Sequence, residues 1–134
     1  MVVLDRALQT LVEKYQKHLD IIAPALDQLL AMTEKNHEAS DLKELMAARI
    51  SLAKFERNMG DVTREINAFS REFCDDNHRD DLRRIVELFN HNIQEIEFES
   101  RTLTDRIEDG EQFVSIHLDI IRLDCFSLIS SISQ

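Results

Sequence analysis

Phe113-Val114-Ser115-Ile116-His117-Leu118-Asp119-Ile120-Ile121-Arg122-Leu123-Asp124-Cys125-Phe126-Ser127-Leu128-Ile129 opens the most apolar window of a chain of 134 residues, and how it is read decides the fold. His117, Asp119, Arg122 and Asp124 interrupt the window within 20 residues, 113–132. Burying four polar groups in hydrocarbon is too costly for a membrane span. The stretch is therefore an apolar helix that must find cover in another way. Upstream, the same rhythm runs back through Leu82, Ile85, Phe89, Ile93, Ile96, Leu103, Ile107, Val114 and Ile121, with Ser100 and Gly110 also at stripe positions. Spacings of three and four mark a helix packed along its length, and small residues in such a stripe mark close contact or a kink.

Two further stripes precede it. Leu4, Leu8, Leu11, Tyr15, Leu19, Ile22, Leu26 and Leu29 predict a first helix over 2–32, with Pro24 kinking it rather than stopping it because the rhythm resumes beyond the ring. Leu42, Leu45, Leu52, Phe55, Met59, Val62, Ile66, Phe69 and Phe73 predict a second helix over 41–73. Thr33 to Ser40 loses the pattern and reads as a polar loop, with Ser40 as helix cap. Gly60 is tolerated inside the second helix and offers a neighbour a close approach. At 1.5 Å per residue these helices are about 45–50 Å long, whereas a third helix over 80–133 is about 80 Å. Its last ~25 residues then project past both partners and need another chain or a membrane to cover them. The competing reading breaks the helix at Gly110 and folds the remainder back as a fourth rod.

Composition agrees with a single all-α domain over 1–134. Two glycines and one proline cannot supply the turns of an all-β fold. A net charge of −10 repels phosphate backbones and anionic headgroups, which argues against nucleic-acid and peripheral-membrane roles, and it attracts divalent cations. Aromatics at 6% with no tryptophan offer no platform for stacking bases. Cys74 and Cys125 are distant in sequence and lie in predicted helices, so both are read as reduced, partly buried thiols. Asp5 and Arg6 cut short the apolar start, so no signal peptide is expected.

Chemistry-bearing motifs are few. Two glycines exclude a phosphate loop or a nucleophile elbow. Cys74 and His78 stand one turn apart at a helix end, with nothing beside them to form an oxyanion hole. A di-iron bundle needs two Glu-x-x-His motifs. The chain has one, Glu34 to His37, in the expected loop, and His91 follows Glu87 by four residues rather than three. The stretch from Asp75 lacks the glycine of a calcium loop. No enzyme is expected. Two acidic clusters remain, Asp75, Asp76, Asp80 and Asp81 at the second turn, and Asp105, Glu108, Asp109 and Glu111 on the third helix. Carboxylates at that density bind Mg2+ weakly through its water shell. Asp119 and Arg122, one turn apart on an apolar helix, would form charged rings at a pore mouth if that helix gathered about an axis.

The string Arg106-Ile107-Glu108-Asp109-Gly110-Glu111-Gln112-Phe113-Val114-Ser115-Ile116-His117-Leu118-Asp119-Ile120-Ile121-Arg122 resembles the stalk helix of CorA-type magnesium channels, in particular the mitochondrial and plastid branch. Pro24-Ala25-Leu26-Asp27-Gln28-Leu29 resembles that family's first-helix motif, and Cys74-Asp75-Asp76-Asn77 its turn before the stalk. The resemblance implies a pentamer with stalk helices lining an axis, shorter helices packed outside, and weakly bound regulatory Mg2+. It also implies an oligomer face through Phe113, Val114, His117, Ile121, Cys125 and Leu128, pore-mouth positions at Asp119 and Arg122, and Asp119 among the metal-facing carboxylates. The expected location is the soluble face of an organellar inner membrane, with cytoplasm as the alternative. The chain departs from the pattern in several respects, among them the absence of the α/β region that precedes these helices in the family. Leu123 stands where the family has asparagine, the Gly-Met-Asn selectivity signature is absent, and Gln134 falls about where the first membrane helix would start. The chain is therefore expected to be the helical part of such a transporter without its pore. A reading from another class is a stand-alone adaptor that grips a partner helix through 113–132.

Overall fold

A computed structural model describes residues 2–36, 38–72 and 79–133. Its elements are α1 (Val2–Asn36), α2 (Ala39–Glu72) and α3 (Arg79–Ser133), and no strand occurs among the described residues. The protein is all-α, as its periodicity predicts.

Cross-helix bonds fix how the rods lie. Gln16 donates to Glu99 at 3.1 Å and Arg106 to Asp27 at 2.5 Å, so α1 and α3 run parallel. Asn67 meets Asn90, Ser100 donates to Glu56 at 2.7 Å, and Arg49 donates to Glu111 at 2.8 Å, so α2 runs antiparallel to both. The core is the meeting of the three stripes: Leu8, Leu19 and Leu26 from α1, Leu45, Leu52 and Met59 from α2, and Phe89, Ile93, Ile96, Leu103, Ile107 and Val114 from α3. Each large side chain so buried contributes about 1.5–3 kcal/mol relative to leaving it in water. Phe55 of α2 bridges to α1, stacked on His18 at 5.1 Å and edge-on to Tyr15 at 5.8 Å. Burial raises the pKa of the Tyr15 hydroxyl.

Helix ends differ from expectation for local reasons. α1 continues to Asn36 instead of stopping at Met32, because Thr33 occupies the next stripe position. Thr33 is 1% exposed, and its hydroxyl donates to the Leu29 carbonyl at 2.8 Å, a polar group made fit for burial by the helix itself. Glu34 is therefore helical rather than in a loop, while His37 lies outside the described residues. α2 is capped at Glu38 and not at Ser40. The backbone N–H of Glu38 donates to the Asp41 carboxylate at 3.0 Å, and the N–H of Asp41 donates back to the Glu38 carbonyl at 3.1 Å. That is the reaching-back half of a capping box, with aspartate in the third helical position. α1 passes through Pro24 without interruption.

The two glycines behave oppositely. A Cβ at Gly110 would lie 2.8 Å from Leu30 Cδ2 and 3.4 Å from Leu45 Cδ1, so all three helices converge there and only glycine fits without a shift. A Cβ at Gly60 would meet nothing within 4 Å, so the close approach expected there does not exist. α3 runs straight through Gly110, and the fold-back into a fourth rod does not occur.

Candidate functional site

The predicted residues of the second half of α3 gather where the α1–α2 cover ends, whereas Asp80 and Asp81 lie at the opposite end of that helix. The last rung of the cover on α3 is Val114, fully buried, with Leu118 packed half-covered against the core. Beyond that point every described side chain from Asp119 to Ile132 is exposed. The projection is thus about 15 residues, or about 22 Å, instead of ~25 residues, because α1 and α2 reach further along α3 than their stripes imply.

The expected oligomer face divides accordingly. Val114 does not belong to it, since Val114 is spent on the intramolecular core at 0% exposure. Phe113 and His117 sit at the rim, their rings 4.7 Å apart. Ile121, Cys125 and Leu128 lie wholly on the projection, and Ile121 and Leu128 are 51% and 64% exposed. Cys125 is a free, exposed thiol, not a partly buried one, because no neighbouring helix extends that far. Ile120, Leu123, Phe126 and Ile129 are also about half to two-thirds exposed, and the first three point to other sides of the helix. The projection therefore carries an apolar arc through Ile121, Cys125, Leu128, Ile129 and Ile132, with further apolar side chains set among Asp119, Arg122, Asp124, Ser127 and Ser130 on its other sides. Asp119 and Arg122 are exposed on it, one turn apart.

Among the described residues, the acidic side chains do not close into a metal cage. Asp75 and Asp76 lie outside the described residues. Asp80 and Asp81 occupy the exposed first turn of α3, where the helix dipole favours negative charge. Asp105, Glu108 and Asp109 are exposed on α3, whereas Glu111 turns toward α2 and accepts a hydrogen bond from Arg49. Among the described residues, no three His, Cys, Asp or Glu side chains come together to hold a metal ion. What these carboxylates can do is bind hydrated cations loosely and repel a second acidic surface.

Asp109 also helps line an open cleft of about 340 Å3 between the end of α1 and α3, with Leu30, Thr33, Glu34, Arg106, Gly110 and Phe113. Sequence reasoning missed Arg49, Asp27 and Arg106 as the residues that tie α2 and α1 to α3 at this end. Their only advance signal is position: Asp27 and Arg106 stand beside the stripe residues Leu26 and Ile107, and Arg49 stands on the stripe between Leu45 and Leu52. No described helix is long and apolar enough to cross a membrane.

No protein-family model matches the chain, and no curated protein or solved structure is significantly similar to it.

Proposed function

We propose that this chain is a helical stalk region of a CorA-type magnesium transporter, and that it works by assembling copies of itself around α3. The observation that carries the reading is the projection. A continuous helix leaves the bundle at Leu118 and presents Ile120, Ile121, Leu123, Phe126, Leu128 and Ile129 to water. An apolar rod of that kind is stable when several like rods share their surfaces. Further support comes from the string Arg106 to Arg122, whose resemblance to the family's stalk covers the exit from the bundle.

On this reading Phe113, His117, Ile121, Cys125 and Leu128 form the assembly seam, and Asp119 and Arg122 form charged rings about its axis. Mg2+ acts by screening. The net charge of −10 keeps copies apart at low ionic strength, and hydrated divalent ions between Asp80, Asp81, Asp105, Glu108 and Asp109 of adjacent copies relieve that repulsion. The module performs no catalysis. It belongs at the aqueous face of an organellar inner membrane.

Sedimentation velocity with and without millimolar Mg2+ tests the reading. The expected result is an oligomer of several copies whose population rises with Mg2+ more than with Na+ at matched ionic strength. A monomer whose sedimentation and calorimetric profiles are superimposable in both conditions overturns it and leaves the partner-helix adaptor as the better account.

A further inference from the structure

The buried stripe of α3 steps by alternating fours and threes from Leu82 through Val114, and the repeat carries on into the projection at His117 and Ile121; Asp124 takes the next rung, with Cys125 beside it and Leu128 following. A seam with a seven-residue repeat has no unique register from apolar contacts alone. Sliding the α1–α2 hairpin one repeat toward the projection, about 10 Å, would uncover Leu82 and Val86 while covering Ile121 and Cys125. Those apolar changes nearly cancel. Something else must choose.

Three features inside the seam do not repeat, besides the pairs Gln16–Glu99, Asp27–Arg106 and Arg49–Glu111 along its edge. Asn67 and Asn90 exchange two side-chain hydrogen bonds, both 2.9 Å. Ser100, fully buried, donates to Glu56 at 2.7 Å. Gly110 leaves a notch in α3 against which Leu30 and Leu45 pack. After a slide of seven residues, Asn67 would face Glu97, the Glu56 carboxylate would face Ile107, and Leu30 and Leu45 would press on His117. Each change removes a hydrogen bond from a partly buried group or overfills a notch.

We infer that Asn67–Asn90, Glu56–Ser100 and the Gly110 notch are a register key, selecting one of two positions that the apolar seam of α3 would otherwise accept. Buried polar groups that fix register at some cost in stability are an attested device in coiled helices. The inference is independent of what covers the projection, since it concerns contacts within one chain.

Electron–electron double resonance on the full chain reads it directly. Spin labels go on native Cys125 and on Lys54→Cys, both exposed positions, in a Cys74→Ser background, diluted with unlabelled chain so that only distances within a chain count. The unaltered seam should give one distance. Removing the key with Asn67→Leu, Asn90→Leu, Glu56→Leu, Ser100→Ala and Gly110→Ala should add a second population about 10 Å shorter. A composition-preserving exchange, Asn90→Glu with Glu97→Asn and Ser100→Ile with Ile107→Ser, should move the main population to that shorter distance. A single unchanged distance in both variants overturns the inference, because apolar packing and the edge pairs Arg49–Glu111, Asp27–Arg106 and Gln16–Glu99 would then fix the register without the key. Loss of helical circular dichroism in the exchanged chain overturns it as well, since the second position would not be acceptable to the seam.

Discussion

Residues 82–114 and residues 119–132 of α3 follow one repeat and draw on the same aliphatic side chains, yet the first run forms the core and the second stands in water. Ile107 is 0% exposed and Ile121, two repeats on, is 51% exposed. Nothing in their own residue types separates them. The difference is where α1 and α2 end. Periodicity therefore specifies that a face will be covered, and the lengths of the neighbouring elements specify whether the chain covers it itself.

The largest effect that tests this contrast is a pair of truncations. Ile107→Ala should lower unfolding free energy by about 2–5 kcal/mol, whereas Ile121→Ala should change it by less than about 0.5 kcal/mol in dilute protein. Chemical denaturation at low concentration measures both, and equal losses would break the contrast. Gly110→Ala marks the last point where three rods touch. It should cost about 1–3 kcal/mol, tempered by how far the Leu30 methyl can move. Asp41→Ala removes the acceptor that satisfies the Glu38 N–H and should cost about 1 kcal/mol, read as a lower midpoint and earlier fraying at the start of α2. Gly60→Ala has the opposite sign. With open space around it, the substitution should stabilise by about 0.5–1 kcal/mol. Cys125 sharpens the contrast at no cost to the core. It should react with a soluble thiol reagent at the rate of a free cysteine in dilute protein and become protected as concentration rises, if copies cover the projection.

Much of the architecture is legible in the residues themselves. Three stripes named three helices, and nearly every stripe residue from Leu8 to Val114 is in or against the core. Ser100 and Gly110 announced tight contact by being small, and both keep that promise, one through a hydrogen bond and one through a missing methyl. Helix ends were harder, because an end is set by a single local bond. Thr33 looks like a loop residue until its hydroxyl turns onto Leu29, and Ser40 looks like a cap until Asp41 reaches back to Glu38. Those few residues shifted the reach of α1 and α2, and with it the length left uncovered. The acidic clusters show the other limit. Neighbours in sequence on a helix diverge in space, so Glu111 faces Arg49 while Asp105 and Glu108 face solvent. Membership of an assembly depends on a second chain, about which one chain's pattern carries only the exposed half.

The unbroken passage of α3 through Gly110 has a mechanical consequence. Braced on two sides up to Val114 and free beyond Leu118, the helix is a cantilever about 22 Å long. A tilt of about 10° at its root carries the tip sideways by about 4 Å, close to the diameter of a methyl group. Small adjustments where Leu30, Leu45 and Gly110 meet are thereby enlarged at Leu128 and Ile129, and the far end becomes a sensitive pointer for strain in the bundle.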